Sequence, residues 1–150
     1  MKVFKRILHA TDFSSASRPA FAKAIALARQ NQAPLSIAHA LPPPLIPIGG
    51  DFGYVPPKTY EAIDQGARQH ARAQLTALVG RAKKAGVRAT AILLDGSPHE
   101  QIPRALRRAR ADLLVIGTHG RTGLTKILLG SVAERVLRLA PCPVLTVRSR

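Results

Sequence analysis

The stretch LLVIGTHGRTGLTKILLGSVAERV, residues 113–136, decides the fold prediction. It opens with an uninterrupted apolar run, Leu113 to Ile116, which is typical of a strand that is buried on both faces of a sheet. A helical pattern begins at Ser131. The segment between the strand and the helix is dense in glycine and contains Gly117, Gly120, Gly123 and Gly130. A buried strand that leads through such a segment into a helix indicates an α/β protein.

Working outward from this stretch, apolar patterns of strand type alternate with patterns of helix type along the chain. Strands are predicted at residues 3–10, 35–40, 87–94, 113–116 and 144–147. Helices are predicted at residues 19–30, about 59–85, 99–110 and about 131–139, with Ser14 and Ser17 as caps of the first and Gly86 as the stop of the second. Strict alternation predicts a mainly parallel sheet with helices on both faces.

One connection is unusually long. Residues 41–57 contain six prolines and three glycines, a composition that excludes a central strand or a helix interior. We expect a loop there, and loops of this length often have a function.

Length and composition bound the remaining possibilities. The chain has 150 residues, 46% of them apolar, so we expect one domain spanning residues 1–150. The first apolar run is about four residues long, shorter than the roughly 7–15 of a secretory signal, and later runs are too short to span a bilayer. A cytoplasmic protein is the expectation. The single cysteine, Cys142, excludes an internal disulfide and a cysteine-based metal site.

The charge balance is strongly basic. The chain has 23 Lys and Arg against 8 Asp and Glu, a formal net charge of +15 that would attract polyanions. Nucleic acid is nevertheless not the expected partner, because aromatic residues make up only 4% of the chain and tryptophan is absent. Much of the charge also falls at helical spacing, which is typical of a solvated helix face, as at Arg104, Arg107, Arg108 and Arg110.

Two interpretations of the glycine-rich segment stand side by side. The free backbone N–H groups at the start of the following helix, at Ser131, Val132 and Ala133, would make a seat for phosphate. Alternatively, Ser131 and Glu134 form a capping box and the glycines only make turns. Neither GxxxxGK[ST] nor a GxGxxG after the first strand occurs, so the two commonest phosphate motifs are missing.

The spacing of Gly117, Gly120, Gly130 and Ser131 resembles the glycine motif of the ATP-binding branch of the universal stress protein family. Further similarities are ATD at residues 10–12, GSPHEQI at residues 96–102 and CPV at residues 142–144. The resemblance covers essentially the whole chain.

This resemblance implies a Rossmann-like fold of the adenine nucleotide alpha hydrolase-like type, with a five-stranded sheet in the order 3-2-1-4-5. It also implies a homodimer through the last strand and a bound ATP, or AMP or ADP, with Mg²⁺ on the triphosphate near Asp12. By the same resemblance the adenine and ribose would lie against Ala10, Thr11, Asp12 and Ala40. The phosphates would lie against Gly117, Thr118, His119, Gly120, Arg121, Thr122, Gly123, Gly130, Ser131, Val132 and Ala133.

Three functions remain in competition, and no residue is assigned a catalytic role. The first is a nucleotide-sensing or signalling module of the stress response with slow or no hydrolysis. The second is a slow ATPase or phosphotransferase, for which His119 is the plausible base and Arg121 and Lys126 are the loop cations. The third is a basic protein that binds nucleic acid or another anionic partner. The family resemblance favours the first function because it accounts for particular residues of the glycine motif, whereas an anionic partner would account only for the net charge of the chain.

Overall fold

The computed structural model describes residues 2–45, 53–118 and 129–149. The strands are β1 (Ile7–Ala10), β2 (Leu35–Leu41), β3 (Ala89–Asp95), β4 (Leu113–Gly117) and β5 (Val144–Val147). The helices are α1 (Arg18–Asn31), α2 (Pro57–Lys84), α3 (Pro98–Ala109) and α4 (Ser131–Leu139), and a short 3₁₀ turn, Ser15–Ser17, precedes α1.

The five strands form one parallel sheet in the order β3-β2-β1-β4-β5, which confirms the predicted fold class and strand order. β1 lies at the centre, where Ala10 pairs with Ala38 of β2 on one side and with Ile116 of β4 on the other. From β1 the chain proceeds to β2 and β3 on one side and then returns to β4 on the other. The strand order therefore reverses between β1 and β4.

Helices cover both faces of the sheet because side chains along each strand alternate between the faces. Ile7 belongs to a core that α1 and α2 cover with Phe21 and Leu75. Its neighbour Leu8 belongs to a second core beneath α3 and α4, which contribute Leu106 and Val136. A sheet that is buried on both faces explains why all four residues of β1 are buried and why β4 is an uninterrupted apolar run up to Gly117.

The first strand begins at Ile7, four residues later than predicted, and several other predicted boundaries shift by one or two residues. α2 begins at Pro57, since proline suits the first turn of a helix, where its missing N–H is not needed. β3 begins at Ala89 because the N–H of Val87 is engaged with the carbonyl of Ala82 in the turn that ends α2. Gly86 occupies that turn with φ +82°, the left-handed conformation expected at a helix end.

The two serines predicted as caps do occupy cap positions, Ser17 as the N-cap of α1 and Ser14 as the N-cap of the preceding 3₁₀ turn, but the capping bonds are missing. Neither Ser14 nor Ser17 makes a side-chain capping bond. The Ser17 hydroxyl instead donates to the Ser14 carbonyl at 2.8 Å and lies 3.1 Å from the hydroxyl oxygen of Thr11. Both serines therefore stand where caps were predicted, while their hydroxyls bond within the turn after β1.

The long connection between β2 and α2 agrees with the predicted loop where it is described, since residues 42–45 and 53–56 form neither strand nor helix. Residues 46–52 lie outside the described part. No helix in the described ranges combines the length and the hydropathy that a bilayer span needs.

His9 is a buried titratable group in the middle of β1. Its Nδ1–H donates to the carbonyl oxygen of Val115 at 3.0 Å, its ring lies 5.6 Å from that of Phe21, and its Nε2 has no hydrogen-bond partner among the described residues. Burial lowers the pKa of His9 from 6.5 to about 4, against smaller opposing effects of the Val115 bond and the charge of Asp12.

We predict that His9 makes the protein sensitive to acid. Because its folded-state pKa is depressed, its contribution to stability is fully present above pH 6.5 and is lost as the pH falls through the folded value near 4. The total loss should be about 3 kcal/mol. The replacement His9→Phe keeps a ring but cannot be protonated. Urea unfolding of this variant should show a correspondingly smaller pH dependence between pH 7 and 4, and an unchanged dependence would contradict the prediction.

Candidate functional site

The candidate site lies at the carboxyl edge of the sheet, where β1 and β4 end side by side. Ala10 of β1 pairs with Ile116 of β4. Asp12, two residues beyond Ala10, and Gly117, the residue after Ile116, therefore leave the sheet at the same edge. Open α/β sheets bind their ligands in the crevice at this kind of reversal in strand order, because the chain diverges to opposite faces there.

The turn that carries Asp12 is closed by hydrogen bonds on both sides of that residue. The Thr11 N–H donates to the Ala38 carbonyl at 2.9 Å, and the Thr11 hydroxyl oxygen accepts from the Phe13 N–H at 3.0 Å. Asp12 Oδ1 accepts from the N–H of Ser14 at 3.0 Å and from its hydroxyl at 2.6 Å. Asp12 thus has a local structural role in an Asx turn, which uses its Oδ1 atom.

The two ends of the glycine-rich segment are held together. The Gly130 N–H donates to the Thr118 carbonyl at 2.7 Å, and the Thr118 N–H donates to the Val147 carbonyl at 3.0 Å. These bonds place the start of α4 directly against the end of β4. Residues 119–128 lie outside the described part, and with them the predictions for His119, Gly120, Arg121, Thr122, Gly123 and Lys126.

The amino terminus of α4 presents its backbone at this edge. Gly130 is the N-cap, and the first bond of the helix runs from the Glu134 N–H to the Gly130 carbonyl at 2.9 Å. The N–H groups of Ser131, Val132 and Ala133 therefore precede the first helical bond. These are the amides that the phosphate interpretation requires.

The capping-box alternative is not what the structure shows. Ser131 is the first helical residue instead of the N-cap, and no side-chain capping bond occurs at this end. Glu134 pairs with Arg138 one turn further along α4, at 3.0 Å. Its carboxylate is thus engaged away from the crevice.

The apolar residues predicted to border the adenine, Ala10 and Ala40, lie in β1 and in its neighbour β2, away from β5. Ala10 and Ala40 stand near the carboxyl ends of β1 and β2 and belong to the same core beneath α3 and α4. They are 5% and 8% exposed, so a ligand would contact them at the rim of the sheet only.

Sequence reasoning missed two residues next to this turn, Phe13 and His39. The Phe13 ring stacks on that of His39 with 4.1 Å between centroids and 27° between planes. His39 Nδ1–H donates to the Thr11 carbonyl at 2.8 Å. The one available signal was that His39 directly precedes Ala40 on β2, whereas the contact itself depends on the path of the turn.

The described residues include no group of three or more His, Cys, Asp or Glu side chains that could hold a metal ion. Among the described residues that directly follow β1 and β4, Asp12 is the one with an acidic side chain. A single carboxylate fits Mg²⁺ that is bound mainly through a ligand's phosphate oxygens, which is how this ion is usually held beside phosphates.

Two further sequence features have ordinary structural explanations. Cys142 is half-buried against the core under α3 and α4, and burial raises the pKa of its thiol, so it fits a packing role. The four arginines that suggested a solvated helix face are all exposed on or just after α3, namely Arg104, Arg107, Arg108 and Arg110.

Comparison with known proteins supports the same family that the motif resembles. The sequence pattern of the Universal stress protein family matches residues 4–148. Universal stress protein MJ0531 of Methanocaldococcus jannaschii is 33% identical over 146 residues, covering 97% of this chain and 83% of its own. Universal stress protein YxiE of Bacillus subtilis is 32% identical over 148 residues, covering 97% of this chain and all of its own.

Solved structures share the fold. A universal stress protein in complex with cAMP is 27% identical with a TM-score of 0.70, and the alignment covers 98% of both chains. The universal stress protein from Archaeoglobus fulgidus in complex with dAMP is 23% identical with a TM-score of 0.64, over 97% of this chain and 99% of the other. The match over residues 4–148 and the shared sheet order show that this chain belongs to the universal stress protein family.

Proposed function

We propose that this protein binds an adenine nucleotide, with ATP as the first candidate, in the crevice between the ends of β1 and β4. In this role it would act as a nucleotide-sensing or signalling module of the stress response. The observation that carries the proposal is the bond from the Gly130 N–H to the Thr118 carbonyl, which holds the free amides of α4 at the end of β4. The relatives solved with cAMP and dAMP support an adenine nucleotide as the ligand class.

The two sides of the crevice suit different parts of a nucleotide. The amides of Ser131 to Ala133 and the positive end of the α4 dipole favour phosphate. The turn on the β1 side offers the Asp12 carboxylate, which suits hydroxyl groups of ribose or a phosphate-bound Mg²⁺, with Ala10 and Ala40 as apolar neighbours for the base. Phosphate oxygens and one carboxylate together would supply the oxygen ligands that Mg²⁺ prefers.

The position of β5 supports the proposed homodimer. In the described part of the sheet β5 is an edge strand paired with β4, and edge strands are ready to pair with another chain. The adjacent helix α4 also exposes two leucines, Leu137 and Leu139. A second copy of the chain would cover both features.

Nucleotide binding should be visible as thermal stabilisation. A ligand that binds only the folded state stabilises it by mass action, by about 2.7 kcal/mol at a hundred times Kd. We expect ATP with Mg²⁺ to raise the Tm, and parallel series with ADP, AMP and cyclic AMP should rank the nucleotides. A Tm that does not move at millimolar concentrations of any of the four would refute the proposal.

Gly130 tests the site itself. Its φ of −58° is open to any residue, so Gly130→Val should fold, while the added branched side chain should obstruct phosphate at the helix start. We expect isothermal titration to show at least about a tenfold weaker Kd for ATP, equivalent to a loss of about 1.4 kcal/mol.

The matched control is Gly66→Val in α2, where an added Cβ would meet no atom within 4 Å. This control should bind ATP as the wild type does, and both variants should keep the wild-type circular dichroism spectrum. Equal affinities for the Gly130 and Gly66 variants would show that the start of α4 does not contact the nucleotide.

Hydrolysis should be slow. In-line attack requires a group that orients or deprotonates water, and residues 117–131 contain no Asp or Glu. We expect turnover far below the roughly 1–100 s⁻¹ of kinases. Steady-state phosphate release measures it, with His119→Ala and Asp12→Asn as comparisons. A rate of a few per second that both substitutions abolish would instead make the protein an ATPase.

A further inference from the structure

The turn after β1 contains a backbone outlier. Phe13 has φ +64°, in the left-handed region that bulky side chains rarely adopt. Gln32 and Arg110 also have positive φ, but they terminate α1 and α3 and are ordinary left-handed helix caps. Phe13 terminates no helix. Backbone strain of this kind persists only where its surroundings over-determine it, and it is concentrated at ligand sites.

His39 supplies the contacts that hold this conformation. Its ring stacks on Phe13 at 4.1 Å between centroids, and its Nδ1–H donates to the Thr11 carbonyl at 2.8 Å. The imidazole therefore contacts the residues on both sides of Asp12: it bonds to the backbone of Thr11 and stacks on the side chain of Phe13. His39 itself is 6% exposed, so its position in β2 is fixed by the sheet.

We propose that His39 is a positioning residue of the nucleotide site, which acts through Thr11 and Phe13 to fix the turn that presents Asp12. The inference rests on the function proposed above and concerns how the β1 side of that site is prearranged. Side chains of β2 alternate between the faces, with Ile37 in the core under α1 and α2 and Ala40 in the core under α3 and α4. His39 therefore supports the turn from the face opposite to Ala40.

A prearranged turn favours binding because the ligand does not have to order it. Loss of this support should weaken the binding of every nucleotide whose ribose or base contacts the Asp12 turn. In the absence of Mg²⁺ the fold-loss should be the same for AMP, ADP and ATP, because Asp12 can then interact only with the ribose and the base, whatever the number of phosphates. Gly130→Val, at the phosphate end, should in contrast weaken ATP more than AMP.

The test uses two substitutions that separate the stack on Phe13 from the hydrogen bond to Thr11. His39→Phe keeps a ring for the stack and loses the donor to Thr11, while His39→Asn loses the ring and keeps an N–H donor at a similar distance from the backbone. Titration calorimetry with AMP, ADP and ATP, all without Mg²⁺, is combined with amide hydrogen exchange of Phe13 and Ser14 in the free protein. Both amides donate within the turn, to Thr11 Oγ1 and Asp12 Oδ1 respectively.

We expect His39→Phe to raise Kd for all three nucleotides by about tenfold, as loss of one buried hydrogen bond would do. It should also speed exchange of the Phe13 and Ser14 amides, and His39→Asn should restore part of both properties. His70→Phe, at an exposed position of α2, is the control and should change neither. Circular dichroism at the temperature of titration establishes that each variant is folded.

Wild-type affinity and wild-type amide exchange in His39→Phe would overturn the inference, and so would an affinity loss that grows with phosphate number. Failure of the wild-type protein to bind any of the nucleotides would overturn the proposed function instead. In that event the exchange comparison in the free protein still decides whether His39 positions the Asp12 turn.

Discussion

The burial of β1 between β2 and β4 is the constraint on which the rest of the structure depends. All four of its residues are buried, and the strand pairs on both sides and packs against helices on both faces. A strand in that position fixes where its carboxyl end emerges, and the chain continues from β1 toward β2 on one side and from the parallel strand β4 toward β5 on the other. The crevice is a consequence of this topology, which is why Asp12 and Gly117 share one edge although they are far apart in sequence.

Local backbone bonds then determine what the crevice presents. The contact between Gly130 and Thr118 joins α4 to β4, so the helix begins at the sheet edge with its first amides directed out of the helix. On the opposite side, Asp12 is held in a turn that the Ser14 amide and hydroxyl close. A positive helix end facing a fixed carboxylate would bind a ligand that combines phosphate with hydroxyl groups, and a nucleotide has both.

The fold was predictable because its signals are local and repeated. Apolar patterns of strand type alternate with helical patterns, and Gly86 stops α2 in the left-handed conformation that glycine allows. The strand order came from the family resemblance and was confirmed. The N-cap position of Ser17 was predicted, but the absence of its capping bond was not, because a serine before a helix has the same local sequence whether its hydroxyl caps the helix or bonds to a preceding turn. Phe13 and His39 escaped notice because a positive φ at phenylalanine and a stack between two elements are products of tertiary structure. The assignments at residues 119–128 lie outside the described ranges and stay predictions.

A backbone amide NMR titration of the full chain with ATP and Mg²⁺ tests the central claim most directly, because it locates the ligand and detects binding in one experiment. We predict saturable shifts for the amides of Asp12, Gly117 and residues 131–133, with little change at Arg88 beside the opposite edge of the sheet. Shifts confined to the exposed arginines of α3, or no saturable shift at millimolar ATP, would contradict a nucleotide site between β1 and β4.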